Sequence, residues 1–452
     1  MPAALTRDLG EFIAALRFGD IPADAIGYIR TGFADCAGVM IAGAAEPAPQ
    51  LVRAMLAPAG DEATLLFGAG RASAAEAAWI NGTAAHALDF DDVALRGHPS
   101  TALVPAILAE AEALGASGAA MMLAYAAGYE TWAELVRREP DPHHNKGWHP
   151  TGIFGAIGAA AACASLRALS AEQAAHAIAL AASQSAGLMS NFGTMTKPFH
   201  AGRAAHAGVV SARLAAQGFT ASLDALEHPQ GFLAAVSPAG KVDRESPIEA
   251  GRAWKLGREG LSIKKYPLCF CTHRALDGML DLLQSEKVDA AAVGRVTVST
   301  SPRYATILRN HAPQTGLEAK FSMEFAMASA LIAGRAGLAE LTDGFVRRPE
   351  VQALMRRVAV RIDEREDPAV SGRAVYDEVT LESADGKAPR SIQVKEVRGS
   401  PSLPLAREEL WAKFAGCVQV GSSRVKARDL FDALMSLERL PRAADLPGLG
   451  RA

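Results

Sequence analysis

A change of texture near residue 290 most constrains how this chain can fold. Before it, Ala- and Gly-rich segments run at helical spacing. After it, Gly294–Thr300, Val358–Asp363, Val375–Glu382 and Ser391–Lys395 alternate at period two and are rich in β-branched residues, the pattern of half-buried strands. Asp385-Gly386 between the last two predicts a hairpin. Helical texture returns from Pro404. A chain of 452 residues is too long for one simple core. The expected fold is mainly α: a large all-helical domain from residues 1–265 plus 403–452, with a smaller α+β lid domain inserted at 266–402. Such an insertion makes a cleft, and clefts between domains are where ligands bind.

Helices are expected from about Ile21 to Ala42, and at Pro47–Leu56, Ala74–Ala87, Ser100–Leu114, Gly118–Val136, Gly152–Leu166 and Ala171–Ala186. Ser170 and Gln173 form a capping-box pattern before the last of these. Leu317–Ala333 interrupts the strands, and Leu405–Ala415 and Ala427–Leu440 follow them. A net charge of −3 offers no basic footprint for nucleic acid. The acidic, amphipathic first twenty residues are unlike a secretory signal. Thr151–Leu166, the least charged run, is shorter than the roughly 20 residues of a membrane span. Cys36, Cys163, Cys269, Cys271 and Cys417 are odd in number and mostly embedded in apolar segments, which reads as reduced core residues in a cytoplasmic protein.

Four stretches could carry chemistry. His86-Ala-Leu-Asp89-Phe-Asp91-Asp92-Val-Ala-Leu-Arg96-Gly-His98-Pro99-Ser100 gathers three carboxylates, an arginine and two histidines at a helix end and loop. The bland alternative makes Asp91 and Asp92 turn or capping residues and His98 a surface histidine. Gly193–Gly208 reads as a tight loop through Pro198 leading into a helix from Ala204, with Thr196, Lys197, His200 and Arg203 beside the helix start. That is a site suited to a carboxylate, unless Lys197 is solvated and Arg203 salt-bridged. Gly147-Trp148-His149-Pro150 repeats the His-Pro pair before a helix, where a histidine is kept neutral and ready to act as a base. Ser262–His273 carries Lys264, Lys265 and Tyr266 at the change of texture. Cys269, Cys271 and His273 lack the second cysteine pair of a zinc site, and Asp89–Asp92 lack a second acid-rich motif for Mg²⁺. No metal is expected. With no Gly-x-Gly-x-x-Gly, Walker loop or nucleophile elbow, no cofactor is expected either. Proton abstraction α to a carboxylate is the economical reaction class.

Asn81–Asp92, Gly97-His-Pro-Ser, Gly147–Gly152, Thr196–Gly202, Lys264-Lys-Tyr-Pro and Ala319-Lys-Phe-Ser together resemble the MmgE/PrpD family, in the family's order and across most of the chain. The resemblance implies a homodimer, a helical domain with an α+β lid, and metal- and cofactor-free chemistry on small di- or tricarboxylates. Its members include dehydratases of 2-methylcitrate, decarboxylases of cis-aconitate and epimerases of iminodisuccinate. Carried over by motif, Asp89, His98, His149, Lys197 and Lys264 match the family's catalytic positions; Lys265 is the residue meant if that register is off by one. Arg203, His200, Thr196, Lys265, Tyr266 and Arg96 are the expected substrate-binding residues. Val93 stands where the decarboxylase pattern has threonine and Phe325 where it has tyrosine, and the loop before His98 is one residue shorter. These departures count against decarboxylation. The leading expectation is a dehydratase-like lyase, with His149 or His98 taking the α-proton and Asp89 orienting a histidine or helping the hydroxyl leave. An iminodisuccinate-type epimerase is the alternative, followed by a carboxylate-binding protein without catalysis.

Overall fold

The computed structural model describes residues 4–285, 290–368, 370–421 and 423–450, so Met1–Ala3 of the N-terminal pattern lie outside it. The chain is mostly helical with small sheets. It folds as two compact units: the described residues of 1–191, 195–262 and 406–452 form the first, and those of 192–194 and 263–405 the second.

The first unit is built from α1 (Leu5–Ala15), α2 (Ala23–Gly43), α3 (Pro47–Leu56), α4 (Ala74–Ala87), α5 (Pro99–Leu114), α6 (Gly118–Arg137), α7 (Pro150–Leu166), α8 (Ala171–Ala182) and α9 (Thr196–Ala216). Ser170 and Gln173 form the expected capping box on α8, and Ser73 with Glu76 form another on α4. α7 is buried all round from Pro150 to Ala164, the mark of a central core helix. Among the described residues, no helix is long and apolar enough to cross a membrane. Small residues set the close approach of α4 and α9. A Cβ on Gly202 would fall 2.3 Å from the Trp79 carbonyl oxygen, and one on Gly82 would fall 2.9 Å from the Gly202 Cα. This crossing lets side chains of both helices reach one buried cluster. All five cysteines are buried and none is in a disulfide.

The second unit holds α10 (His273–Ser285), α11 (Met323–Ala333) and a sheet of β1 (Val293–Thr300), β2 (Val358–Ile362), β3 (Asp377–Ser383) and β4 (Arg390–Val394) in the order β2-β1-β3-β4. β1 and β2 pair in parallel with Val296 opposite Val358, whereas β1–β3 and β3–β4 are antiparallel. Val296, Val298, Val379 and Leu381 are buried, giving the sheet one apolar face. Gly386, with φ +76°, accommodates the turn before β4. The chain then returns to the first unit through α12 (Arg407–Val420) and α13 (Ala427–Leu434).

Three expectations change. α9 begins at Thr196 instead of Ala204, because Pro198 falls in the first turn, where a missing N–H costs no intrahelical bond. Leu317–Ala333 breaks at Ser322, whose hydroxyl accepts the Phe325 N–H and caps α11. Ala427–Leu440 ends as a helix at Leu434 and continues as a 3₁₀ turn, Leu437–Arg439.

Candidate active site

The cluster starts where α4 stops. The helix ends at Ala87, and Asp89 takes a left-handed conformation (φ +51°) with its N–H on the His86 carbonyl, a conformation aspartate tolerates. The chain doubles back and brings Asp91 to His86. His86 Nδ1 lies 2.9 Å from Asp91 Oδ1, and His98 Nδ1 lies 2.8 Å from Asp91 Oδ2 and 2.8 Å from the Asp92 carbonyl oxygen. A carbonyl only accepts, so His98 carries its proton on Nδ1. Asp91 is fully buried. Burial alone would raise its carboxyl, but the two imidazoles outweigh that and hold it well below the usual carboxylate range.

His98 and His149 are the N-caps of α5 and α7, each followed by Pro at N1. The His98 N–H donates to Thr151 Oγ1 at 3.1 Å, tying the two helix starts together. The rings of His86 and His98 are 4.5 Å apart, those of His86 and His149 5.8 Å, and those of His149 and His200 5.3 Å. His149 Nδ1 is 3.1 Å from His200 Nδ1, so one of these imidazoles donates to the other. From α9, Lys197 places its ammonium 2.5 Å from Asp89 Oδ1, with both side chains almost fully buried.

Burial, reinforced by the Lys197 charge, keeps His86, His149 and His200 neutral. It pushes His86 down to about 3, His200 to about 4 and His149 well below the ordinary value. For His149 and His200 the location near a helix N-terminus acts in the same direction, whereas His86 lies in the last turn of α4 and owes its shift to burial. The expected anion site at the start of α9 therefore consists of Lys197 with uncharged histidines. The array suits proton abstraction better than proton donation from imidazolium.

Asp92 differs from its neighbour. Its carboxyl is buried, is hydrogen-bonded to Ser100 Oγ, and accepts the Ser100 N–H at 3.3 Å. Burial and the nearby Asp35 and Asp91 charges raise it well above the usual range against the Ser100 hydrogen bonds, and it caps the first turn of α5 through the Ser100 N–H. Ser100 Oγ continues to Tyr125 Oη at 2.8 Å. From α12, Lys413 donates to the Phe90 carbonyl at 2.7 Å and pairs with Asp35 at 2.6 Å, anchoring the Asp89–Asp92 loop from below.

The structure thus brings Asp89, His98, His149, Lys197 and His200 together, and Thr196 opens the helix that carries two of them. Other expected residues meet different partners. Arg96 donates to the carbonyls of Asp141 and Pro140. Arg203 stacks 4.5 Å over the Trp79 ring and bonds His206 Nδ1 at 3.0 Å. Lys264, Lys265 and Tyr266 belong to the second unit, where Lys264 is buried and the Tyr266 hydroxyl donates to Asp277 at 2.7 Å. Phe325 is fully buried in that unit, packed edge-on to Phe345. His86 and Asp91 lie in the charged stretch but receive no role from sequence; their spacing across a helix end was the available signal.

His86, Asp89, Asp91 and His98 also place one potential metal ligand each within 4.8 Å of one another. Both carboxylates are already matched, Asp89 by the Lys197 ammonium and Asp91 by two imidazole Nδ1 groups. His273 Nε2 turns to the Leu268 carbonyl, and Cys269, Cys271 and His273 form no such group among the described residues.

Comparison with known proteins agrees with the motif order. Residues 7–245 match the MmgE/PrpD N-terminal domain and residues 266–437 the MmgE/PrpD C-terminal domain. The cis-aconitate decarboxylase of Homo sapiens is 28% identical over 371 residues, covering 80% of this chain and 75% of that protein. The cis-aconitate decarboxylase of Aspergillus terreus is 24% identical over 470 residues, covering 97% of this chain and 94% of its own. With both of the family's domains matched in order along its length, the chain belongs to the MmgE/PrpD family.

Proposed function

We propose that this protein is a lyase that removes a proton α to a carboxylate of a small di- or tricarboxylic acid and eliminates water. The observation that carries the reading is the array of neutral, buried imidazoles around the Lys197–Asp89 pair. Lys197 receives a substrate carboxylate. One of the helix-start histidines takes the α-proton, and the C–H electron pair becomes the new C=C bond as the C–O bond breaks. The other, as a neutral N–H donor, gives a proton to the departing hydroxyl, which leaves as water. Proton transfer between the two imidazoles restores the starting state. Asp89, committed to Lys197, orients that ammonium.

Lys264 is assigned to the reaction on its motif alone, with residues 266–402 keeping the role of an inserted α+β domain. The reading carries with it a homodimer acting in the cytoplasm, in keeping with the family resemblance and with five buried cysteines outside any disulfide. Light scattering tests the dimer.

A second reading, decarboxylation, is favoured by the similarity to cis-aconitate decarboxylases. Loss of CO₂ creates a carbanion that must be protonated. Val93 and Phe325 supply no hydroxyl for that protonation, which favours the abstraction reading for this chain. Epimerisation needs only that abstraction and a return of the proton on the other face. Proton NMR in D₂O with citrate, 2-methylcitrate, cis-aconitate, malate and aspartate-derived imines separates the three. New vinyl signals from a hydroxy acid without CO₂ support dehydration. CO₂ release from cis-aconitate supports decarboxylation, and α-deuteration without vinyl signals supports epimerisation. Loss of the signal in Lys264→Ala, with folding intact, tests that lysine.

A further inference from the structure

We infer that Asp91 is a positioning carboxylate that makes His98, and not His149, the proton acceptor. This rests on the proposed abstraction chemistry and deepens it by assigning the base. The argument is electrostatic. A base that takes a proton on Nε2 becomes an imidazolium with both nitrogens protonated, and in a buried site that charge needs an anion beside it. His98 has one: Asp91 Oδ2 lies 2.8 Å from its Nδ1, and the Asp92 carbonyl accepts the same N–H, fixing the tautomer that leaves Nε2 as the basic nitrogen. Asp91 cannot turn away, because its other oxygen faces His86 Nδ1 at 2.9 Å. Asp92, next in the chain, is directed to Ser100 and does not compete for the imidazole with its carboxyl.

His149 has the opposite surroundings. Its Nδ1 faces another imidazole, His200, at 3.1 Å, and the charge acting most strongly on it is the Lys197 ammonium. A second positive charge there is disfavoured. With His200 donating from Nδ1, His149 is the Nε2–H tautomer, the form that can hand a proton to a leaving hydroxyl. His86 also meets Asp91, but it is almost fully buried and stands between the other rings. It serves as the second arm that holds the carboxylate in place.

The test uses the full chain. In ¹⁵N-labelled wild type, NMR of the imidazoles is expected to show His98 protonated at Nδ1, with its proton resonance shifted to low field. Asp91→Asn is expected to move that resonance upfield, whether or not a substrate has been found. With a turned-over carboxylate, Asp91→Asn is expected to lower kcat about 100-fold or more, with KM within about 3-fold. The two histidines are then separated by deuterium wash-in at the α-carbon: His98→Ala abolishes exchange, whereas His149→Ala retains exchange and blocks elimination. An unshifted His98 resonance in Asp91→Asn overturns the positioning role. Exchange that survives His98→Ala but not His149→Ala overturns the assignment of the base. If no carboxylate in the panel reacts, the broader function fails while the NMR comparison still decides Asp91.

Discussion

The chain begins two helices with the same dipeptide, His98-Pro99 on α5 and His149-Pro150 on α7, and gives the two imidazoles opposite company. The first has a buried carboxylate and a carbonyl at Nδ1; the second has a neutral imidazole there and an ammonium nearby. Equal local sequence therefore does not mean equal chemistry. A His-Pro helix start supplies placement, and the third element to arrive supplies the proton affinity. For His98 that element is the loop after α4, and for His149 it is α9.

Lys197 separates the two arms, so removing it should have the largest effect. Lys197→Met leaves Asp89, 3% exposed, without its countercharge. Loss of one partner of a buried pair costs about 3–5 kcal/mol, and turnover should fall on the order of 1,000-fold as the carboxylate anchor goes. Denaturant unfolding and single-turnover kinetics measure the two. A destabilisation below about 1 kcal/mol would mean that the pair is solvated and that His149 does not owe its neutrality to Lys197.

Acid should act next most strongly, and mainly through the histidines. His86, His143, His149, His200 and His206 all protonate below the ordinary value in the fold, at about 3 for His86, about 4 for His143, His200 and His206, and lower than ordinary for His149. The unfolded chain takes up those protons near 6.5, so their contribution is complete above that pH and is lost as pH falls toward 4. Asp92, Glu130 and Asp377 oppose this, because burial raises their carboxyls and acid favours their folded form. The imidazoles outnumber them, and the expected net loss between pH 7 and pH 4.5 is roughly 2–4 kcal/mol. Unfolding curves across that range check the sign. Stability that rises on acidification would show the carboxyls prevailing and the imidazole array accepting protons at little cost.

How much of this was legible in the chain follows from what each residue type announces. Pro47–Leu56 and Ala74–Ala87 form helices over those residues because caps and small-residue spacing are local signals. The parallel pairing of β1 with β2 was not legible, since Val296 and Val358 meet across more than sixty residues with no turn to set the register. α10 shows its helical spacing in Leu276, Met279 and Leu282, which are buried along one face. At the site, Asp89, His98, His149 and Lys197 were found through motifs. Asp91 looked like a turn residue, and only the left-handed Asp89 shows that the turn brings it to two histidines. What Arg96 and Arg203 meet in the fold was not legible, because a guanidinium reads alike whether it faces a substrate, a carbonyl or an indole.

A smaller effect should come from the partner of His149. His200→Leu removes the group at Nδ1 and should slow elimination about 10-fold. His200→Asn restores a donor there and should recover most of that loss. Equal loss in both variants would mean that His149 does not depend on a donor, and the contrast with the Asp91-backed His98 would weaken.

The smallest effect concerns how each loop is held. The turn before His98 has Leu95 and Arg96 both at positive φ, +49° and +62°, between mutual hydrogen bonds of Ala94 and Gly97. Such a turn favours Asn-Gly, and two bulky residues there carry strain. Arg96 offsets it by reaching the carbonyls of Asp141 and Pro140, in the segment that leads to His149. His149 needs no such clamp: the backbone bonds His149 N–H to Gly187 and Met189 N–H to Gly147 hold its loop, and glycine takes the positive φ at 147. Arg96→Ala should therefore cost about 1 kcal/mol and slow turnover a few-fold, through loss of both bonds with the strain retained. Arg96→Gly loses the same bonds but relieves the backbone, and should be the more stable of the two by several tenths of a kcal/mol. Thermal melts of the pair decide it. If the glycine variant is the less stable, the turn is not strained, and Arg96 is needed for its contacts alone.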